Sequence, residues 1–290
     1  MNDQDQPLAP GLYLVATPIG NLEDITLRAL RILRTADRIA CEDTRQTQKL
    51  LNHFEIRTPT VSYHMHNEGP RSEELIEALK QGARIAVVSD AGTPGIADPG
   101  GQIAAAAIAA GIPVFPIPGA NAAISALIAS GLSTESFTFH GFLPAKAGQR
   151  KTTLEALSQL PRGTTHIFYE APHRILEALT DIEAVFGPTQ PVVIARELTK
   201  LHEEFLRGPA IQLRTELASR PAIRGEIVLM LAPTRHEAAA KRTTIAEEVA
   251  ALMHSENLTE KDALKRVARD RGIGKSEAYR ELQREQNRKR

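Results

Sequence analysis

Three loops rich in glycine and proline carry the residue types that hold a small polar ligand through the backbone. They are T-P-I-G-N at 17–21, S-D-A-G-T-P-G-I-A-D-P-G at 89–100 and P-I-P-G-A-N at 116–121, and each follows a predicted strand. Glycine lets backbone N–H groups approach a ligand closely, and proline fixes the shape of a loop in advance. Because ligands of open α/β sheets bind outside the carboxyl ends of the strands, the three loops predict a site for a compact polar molecule. Each loop alone is also typical of an ordinary tight turn.

Charged residues follow another predicted strand, 38–41, where Glu42, Asp43 and Arg45 lie close together in the sequence. A carboxylate in this place can accept a proton from a substrate hydroxyl, and a guanidinium can bind a phosphate. The same residues are equally typical of a surface cluster that caps a helix and forms ion pairs. Both interpretations stay open at the level of the sequence.

Several other chemistries lack the residues that they require. No G-x-G-x-x-G follows the first predicted strand, which argues against an ordinary dinucleotide fold, and no serine occupies a G-x-S-x-G elbow. The nine histidines show no H-E-x-x-H spacing and Cys41 is the single cysteine, so we expect no metal. A single cysteine also excludes a disulfide framework and indicates a reducing, cytoplasmic compartment.

The predicted elements place the three loops at one edge of a sheet. Hydrophobic strands alternate with helices from residue 11 onward, as expected for an α/β fold with a mainly parallel sheet and helices on both faces. The pattern predicts an N-terminal α/β domain at 11–131 and a second α/β domain at 132–233. In the second domain, strands are predicted at 137–139, 166–169, 191–195 and 226–231, and helices at 154–160 and 173–186.

The stretch 99–134 contains no charged residue, and alanine and isoleucine dominate it. A membrane helix needs about 20 unbroken apolar residues, whereas Gly111, Pro113 and Pro116 interrupt this stretch. We therefore expect helices and a strand of the core here, and no contact with a membrane.

Charge is unevenly distributed along the chain. The 35 basic and 35 acidic residues cancel, but 261–290 contains 11 Lys and Arg against five Asp and Glu, a net charge of +6. Apolar residues recur with a helical period here, which predicts a basic helical tail at 240–290 with a weak likeness to a helix-turn-helix. An acidic body with a basic tail favours a polyanionic partner, and a solvated helical tail is the alternative.

Four longer motifs follow one another in the chain: G-L-Y-L-V-A-T-P-I-G-N, C-E-D-T-R, S-D-A-G-T-P-G-I-A-D-P-G and F-Y-E-A-P-H-R. Together they resemble the tetrapyrrole methylase superfamily, and within it the members that methylate ribosomal RNA. The resemblance implies two α/β domains with S-adenosylmethionine in the cleft between them, plus a small C-terminal helical domain. It also implies a homodimer that methylates the 2′ oxygen of a cytidine ribose in 16S rRNA, in the small ribosomal subunit near the decoding centre.

The resemblance also assigns residues of this chain to the cofactor. Thr93 departs from the superfamily, which carries aspartate in its G-D-P loop, and this departure puts a tetrapyrrole substrate in doubt. The implied cofactor-binding residues are Ile19, Gly20, Asp90, Ala91, Gly92, Thr93, Pro94, Ile96, Asn121, Ala122, Glu170 and Leu198.

No motif identifies the base that takes the proton from a ribose hydroxyl, and we expect Asp43 or Lys200 to act as that catalytic base. A tetrapyrrole C-methyltransferase and a non-catalytic ribosome-assembly factor are the alternative functions. Only 4% of the residues are aromatic, so charge and shape rather than a stacking platform are expected to bind RNA. The predicted RNA-binding residues are Arg45, His173, Arg174, Lys265, Arg266 and Lys275.

Overall fold

The structure is a computed structural model that describes residues 8–64, 68–160, 163–233, 245–256, 258–270 and 274–288. The chain divides into two compact units, 1–234 and 235–290. The larger unit contains two five-stranded sheets, and the described part of the smaller one is helical.

The first sheet is fully parallel and has the strand order β3-β2-β4-β1-β5. Its strands are β1 (Gly11–Val15), β2 (Arg38–Cys41), β3 (Thr60–Ser62), β4 (Arg84–Val88) and β5 (Val114–Ile117). The helices that accompany it are α1 (Leu27–Thr35), α2 (Thr44–His53), α3 (Glu68–Lys80), α4 (Gly101–Ala109) and α5 (Ala122–Ser130).

Strand β1 shows how this sheet builds a core on each face. Successive side chains of a strand point to opposite faces. Tyr13 and Val15 accordingly pack with residues of α1 and α2, whereas Leu12 packs with residues of α3 and α4. Burial on both faces explains why the strands of this sheet are almost continuously apolar.

The second sheet has the order β6-β7-β10-β8-β9 and is mixed. Its β6–β7 pair is parallel and its other three pairs are antiparallel, so it differs from the first sheet, which is parallel as the sequence predicts. Its strands are β6 (Phe137–Phe142), β7 (Thr165–Glu170), β8 (Pro191–Arg196), β9 (Glu204–Pro209) and β10 (Ile227–Leu231). Its helices are α6 (Ala147–Ser158), α7 (Ile175–Phe186) and α8 (Ala210–Ala218).

Helix α5 joins the two sheets. Its residues Ala123, Ala126 and Leu127 are buried in one apolar cluster with Val193 of β8 and Met230 of β10. The opposite face of the second sheet packs on α6, α7 and α8. Both sheets therefore belong to one compact unit, with the loop edge of the first sheet close to the second.

The uncharged stretch forms α4, β5 and α5, as the sequence predicts. Both helices contain only nine residues. Within the described parts of the chain, no helix is long and apolar enough to cross a membrane.

The smaller unit contains α9 (Ile245–Glu256), α10 (Glu260–Asp270) and α11 (Lys275–Arg288), which share an apolar core that includes Val249, Val267 and Leu282. Thr259 caps α10, because its hydroxyl accepts a hydrogen bond from the Asp262 N–H at 3.3 Å. The first residues of the predicted tail, 240–244, and most of the predicted helix-turn-helix turn, 271–273, lie outside the described residues.

Candidate functional site

A cavity of about 310 Å³ opens where the loops after β1 and β4 approach the second sheet. Strands β7 and β8 end at this cavity, and β10 begins there, because Ile227 pairs with both Glu170 and Arg196. We call it the central cavity. Its lining consists of Ile19, Ala91, Ala97, Asp98, Phe142, Tyr169, Glu170, Ala171, Pro172, Ala195, Leu198, Gly225, Glu226, Ile227 and Val228.

Hydrogen bonds join the three glycine- and proline-rich loops to one another. The backbones of Thr17 and Gly92 exchange two hydrogen bonds of 2.9 and 3.1 Å, and the Thr17 hydroxyl donates to the Ser89 carbonyl at 3.2 Å. The Thr93 hydroxyl donates to the Ala120 carbonyl at 3.1 Å. Thr93, which stands in place of the superfamily aspartate, therefore ties the second loop to the third.

Four of the predicted cofactor-binding residues line the central cavity, namely Ile19, Ala91, Glu170 and Leu198. Gly20 and Asp90 line a neighbouring hollow instead.

The other predicted cofactor-binding residues support the loops without lining the cavity. Asn121 caps α5 by accepting a hydrogen bond from the Ile124 N–H, and Ala122 packs on the apolar cluster beneath. Pro94 is buried close to Gly100, while Gly92 and Thr93 form the ties described above. Ile96 is 37% exposed and does not contribute to the lining.

Sequence reasoning missed most of the second-sheet wall. Phe142 and Tyr169 meet edge to face, with ring centroids 5.7 Å apart, and form an aromatic side of the cavity. Tyr169, Ala171 and Pro172 lie within the F-Y-E-A-P-H-R motif, which could have identified them. The wall at 225–228 carries no motif, and only the pairing of β10 brings it to the site.

A strained loop after β8 carries Leu198 into the cavity. Glu197 and Thr199 both adopt left-handed backbone conformations, with φ of 52° and 65°. This conformation is unfavourable for a β-branched threonine, so the surrounding contacts must hold it in place. Glu197 Oε1 accepts hydrogen bonds from the Glu226 N–H at 3.0 Å and from Lys200 Nζ at 2.9 Å.

Glu170 is buried at the end of β7. Its Oε1 accepts a hydrogen bond from the Ala171 N–H at 2.8 Å and lies 3.3 Å from Arg174 Nε. Burial raises the pKa of Glu170, although the hydrogen bond from Ala171 and the charge of Arg174 act in the opposite direction. Arg174 also donates to the Leu143 carbonyl. Its guanidinium is thus engaged inside the protein, and its predicted contact with RNA stays a prediction.

Asp98 is a carboxylate of the lining that sequence reasoning did not select. Its neighbour Ala97 has a left-handed backbone, with φ of 62°, which turns the chain at this point. Burial and the nearby charge of Asp90 raise the pKa of Asp98, while a hydrogen bond from Ser89 lowers it. The pKa of Glu42 is raised as well, by burial and by the charges of Asp98 and Asp90.

The two predicted catalytic bases are both held in their charged forms. Asp43 accepts hydrogen bonds from Arg45 Nε at 3.1 Å and Nη2 at 2.8 Å, and these contacts lower its pKa to about 2. Burial lowers the pKa of Lys200, but hydrogen bonds to Glu197 and Glu226 at 2.9 Å outweigh it and raise the pKa overall. A strongly acidic carboxyl and a stabilised ammonium are poor proton acceptors, so these contacts disfavour both assignments.

The remaining predicted RNA-binding residues occupy two surfaces. The Arg45 side chain is 87% exposed, although it pairs with Asp43, and His173 is exposed beside the central cavity. In the smaller unit, Lys265, Arg266 and Lys275 line one hollow of about 590 Å³.

A family model described as Tetrapyrrole (Corrin/Porphyrin) Methylases matches residues 11–214. The chain belongs to the tetrapyrrole methylase family. The protein named ribosomal RNA small subunit methyltransferase I from Halalkalibacterium halodurans is 50% identical over 273 residues, which cover 92% of this chain and 93% of that relative. The protein of the same name from Bacillus subtilis is 45% identical, with 92% of each chain covered.

The fold agrees with this membership of the tetrapyrrole methylase family. The crystal structure of uroporphyrin-III C-methyl transferase from Thermus thermophilus, complexed with S-adenyl homocysteine, matches with a TM-score of 0.54 at 17% identity. The match covers 77% of this chain and 97% of that structure. The predicted family, fold class and enzyme class, a methyltransferase, are therefore confirmed.

Proposed function

We propose that this methyltransferase transfers a methyl group from S-adenosylmethionine to the 2′ oxygen of a cytidine ribose in 16S rRNA, in the small ribosomal subunit near the decoding centre. The observation that carries the proposal is the central cavity, combined with relatives that are named for methylation of small-subunit rRNA at 45–50% identity. The homodimer and the cytoplasmic location stay predictions.

The cavity lining fits S-adenosylmethionine, which combines apolar surface with positive charge. Ile19, Leu198 and Val228 offer apolar walls, and the loops around Ala91 and Gly225 bring backbone groups to the rim. The carboxyl groups of Asp98, Glu170 and Glu226 belong to the same lining, where Glu170 already pairs with Arg174 and Glu226 with Lys200. A volume of about 310 Å³ falls at the lower end of small-molecule pockets.

When it is bound, S-adenosylmethionine supplies a methyl group that its sulfonium already activates. The chain therefore contributes mainly position, which can lower a barrier by about 7–11 kcal/mol. The tied loops after β1 and β4 and the strained loop that carries Leu198 fix the walls of the cavity before any ligand arrives. Rigid walls are suited to holding the methyl group of the donor in line with the ribose oxygen that accepts it.

The ribose hydroxyl must lose its proton, and we assign its acceptance to Asp98, since the other two carboxyl groups of the lining, Glu170 and Glu226, pair with Arg174 and Lys200. Asp98 lines the cavity, and burial together with Asp90 raises its pKa toward the range in which a carboxylate accepts protons effectively. Asp43 and Lys200 remain the candidates from sequence, but their ion pairs make them weaker acceptors.

The test is transfer of labelled methyl groups to small ribosomal subunits that lack the modification, with naked 16S rRNA and a tetrapyrrole precursor in parallel. Label on a ribose 2′ oxygen is the expected result. Label on the tetrapyrrole would contradict the proposal in favour of a C-methyltransferase, and no label despite donor binding would favour an assembly factor. Replacing Asp98 by Asn should lower the rate of methyl transfer at saturating donor concentration by about 10²–10⁴-fold. Exposed Asp24→Asn serves as the matched control.

A further inference from the structure

Helix α2 presents nitrogen-bearing side chains at a regular spacing on its exposed face. Arg45, Lys49 and His53 recur every four residues, which corresponds to steps of about 6 Å along the helix axis. The helix packs on the sheet through Thr47 and Leu51, and it contains no acidic residue. Its outward face is therefore suited to a chain of negative charges.

Lys49 is the cation on this face whose charge is least neutralised. Arg45 is paired with Asp43, whereas Lys49 Nζ donates to the neutral side chain of Gln46 at 2.9 Å. Among the residues that the structure describes, no carboxylate forms an ion pair with Lys49. An ammonium in this state can bind a phosphate without first losing an acidic partner.

Two hollows flank the helix, and Lys49 borders both of them. We call the first, of about 370 Å³, the inner hollow, and the second, of about 460 Å³, the outer hollow. Amide side chains line both, Gln46 in the inner hollow and Gln48 and Asn52 in the outer one. Amides can donate to phosphates and can also pair with the edges of bases.

The inner hollow and the central cavity share their walls. In the loop after β1, Ile19 lines the cavity and its neighbour Gly20 lines the hollow. In the loop after β4, Ala91 lines the cavity and its neighbour Asp90 lines the hollow. The N–H of Asp43, just before α2, donates to Asp90 Oδ1 at 3.0 Å and fixes the start of the helix to this wall.

We propose that the inner hollow and the exposed face of α2 bind the single-stranded RNA segment that carries the target ribose. A strand that follows the helix would place its phosphates on the line of Arg45, Lys49 and His53. The nucleotide in the inner hollow would then be separated from the central cavity only by the loops after β1 and β4. This assignment rests on the proposed function, because it requires an RNA substrate.

The first experiment reverses the charge of Lys49 in the full chain. Lys49→Glu should weaken binding to unmodified small ribosomal subunits about tenfold or more, and should reduce the slope of log K against log salt concentration by about one. Binding of S-adenosylmethionine should stay unchanged, because Lys49 does not line the central cavity. The matched control is Lys80→Glu, an exposed lysine at the end of α3.

A second variant keeps the assignment testable if the charge reversal disturbs folding. Lys49→Gln removes the charge of an exposed side chain without introducing an opposite one, and it should weaken subunit binding in the same direction. If both α2 variants bind subunits as well as the Lys80→Glu control while the wild type methylates them, the assignment of α2 is overturned and the proposed function survives. If the wild type neither binds nor methylates subunits, both are overturned. If α2 variants lose a protein partner but not RNA, the surface serves that partner instead and the assignment is wrong.

Discussion

The side chain of Lys200 lies directly over Gly20. A β carbon at residue 20 would overlap with Lys200 Cγ and stand 2.9 Å from Cε. Lys200 cannot easily move away, because its ammonium is held at 2.9 Å by both Glu197 and Glu226. The contact joins the loop after β1 in the first sheet to the loop after β8 in the second, beside the central cavity.

Gly20→Ala should therefore disturb the donor site. Relief of the overlap requires Lys200 or the loop at 17–21 to move, at a cost of about 1–3 kcal/mol. We expect weaker binding of S-adenosylmethionine, measured by titration calorimetry. Gly148→Ala is the matched control, because its β carbon meets nothing within 4 Å. Equal donor affinities for the two variants would contradict the role of this contact.

A second prediction concerns the buried guanidinium that joins α6 to α7. Arg150 is 2% exposed, and its Nε lies 2.7 Å from Asp181, which is also buried. Removing one partner of a buried pair leaves an uncompensated charge, so Asp181→Ala should lower the free energy of unfolding by about 3–5 kcal/mol. The second partner, Glu177, is 67% exposed, and Glu177→Ala should cost much less. Denaturant titrations of both variants measure these costs. A larger loss for Glu177→Ala than for Asp181→Ala would contradict the prediction that Asp181 is the main partner of Arg150.

The stability of the second sheet should depend on pH through Glu204. Hydrogen bonds from Arg220 lower its pKa, burial opposes them, and Arg196 lowers it further, to about 2. A carboxyl whose pKa is lower in the folded state stabilises the fold above its unfolded pKa and loses this effect as the pH falls. Glu204→Gln should thus cost about 1–3 kcal/mol at pH 7, and the difference from wild type should disappear between about pH 4.5 and 2.

The control for that experiment is Glu73→Gln on the exposed side of α3. Its unfolding free energy should differ little from that of wild type across the same pH range. A difference for Glu204→Gln that persists at pH 2 would show that the side chain acts through packing rather than through its charge.

The hollow of the smaller unit that Lys265, Arg266 and Lys275 line should contribute to RNA affinity without contributing to sequence specificity. Lys265→Glu together with Lys275→Glu removes two of its cations, so the salt slope of subunit binding should fall by about two. Contacts with phosphates carry little sequence information, and the loss should be the same for any RNA of similar size. Lys261→Glu, on α10 but outside the hollow, is the control, and an equal effect of that variant would argue against a local site.

Much of the first sheet and its loops could be predicted from sequence because burial on both faces gives apolar strands and because the loops carry their own glycines and prolines. Helix α2 was missed for a physical reason. Only two of its ten residues are apolar, Leu50 and Leu51, so the stretch is too polar overall to stand out as a helix although its buried residues share one face. The sequence therefore predicted the strand at 38–41 and the charged residues after it, but not the helix that forms the proposed RNA surface.

The cavity wall formed by β10 could not be predicted for a different reason. Alternation and apolar runs identify a strand but do not determine its neighbours, and both neighbours of β10 turned out to be antiparallel. Only that pairing brings Gly225, Glu226 and Ile227 next to Glu170, more than 50 residues earlier in the chain. The ion pair of Asp43 with Arg45 is one of the two interpretations that the sequence left open, whereas the ion pair of Lys200 with Glu226 joins residues 26 positions apart and could not be predicted from spacing.

The central place of β10 also has a consequence for synthesis. The first sheet has all five strands once Ile117 has been made, whereas the second sheet lacks its middle strand until 227–231 follow. During this interval β7 and β8 each present an open edge, and such edges pair readily with other chains. The nascent polypeptide thus acquires a finished first sheet early and an aggregation-prone second sheet late. We therefore expect the chain to be most prone to misassembly between the synthesis of residue 196 and that of residue 231.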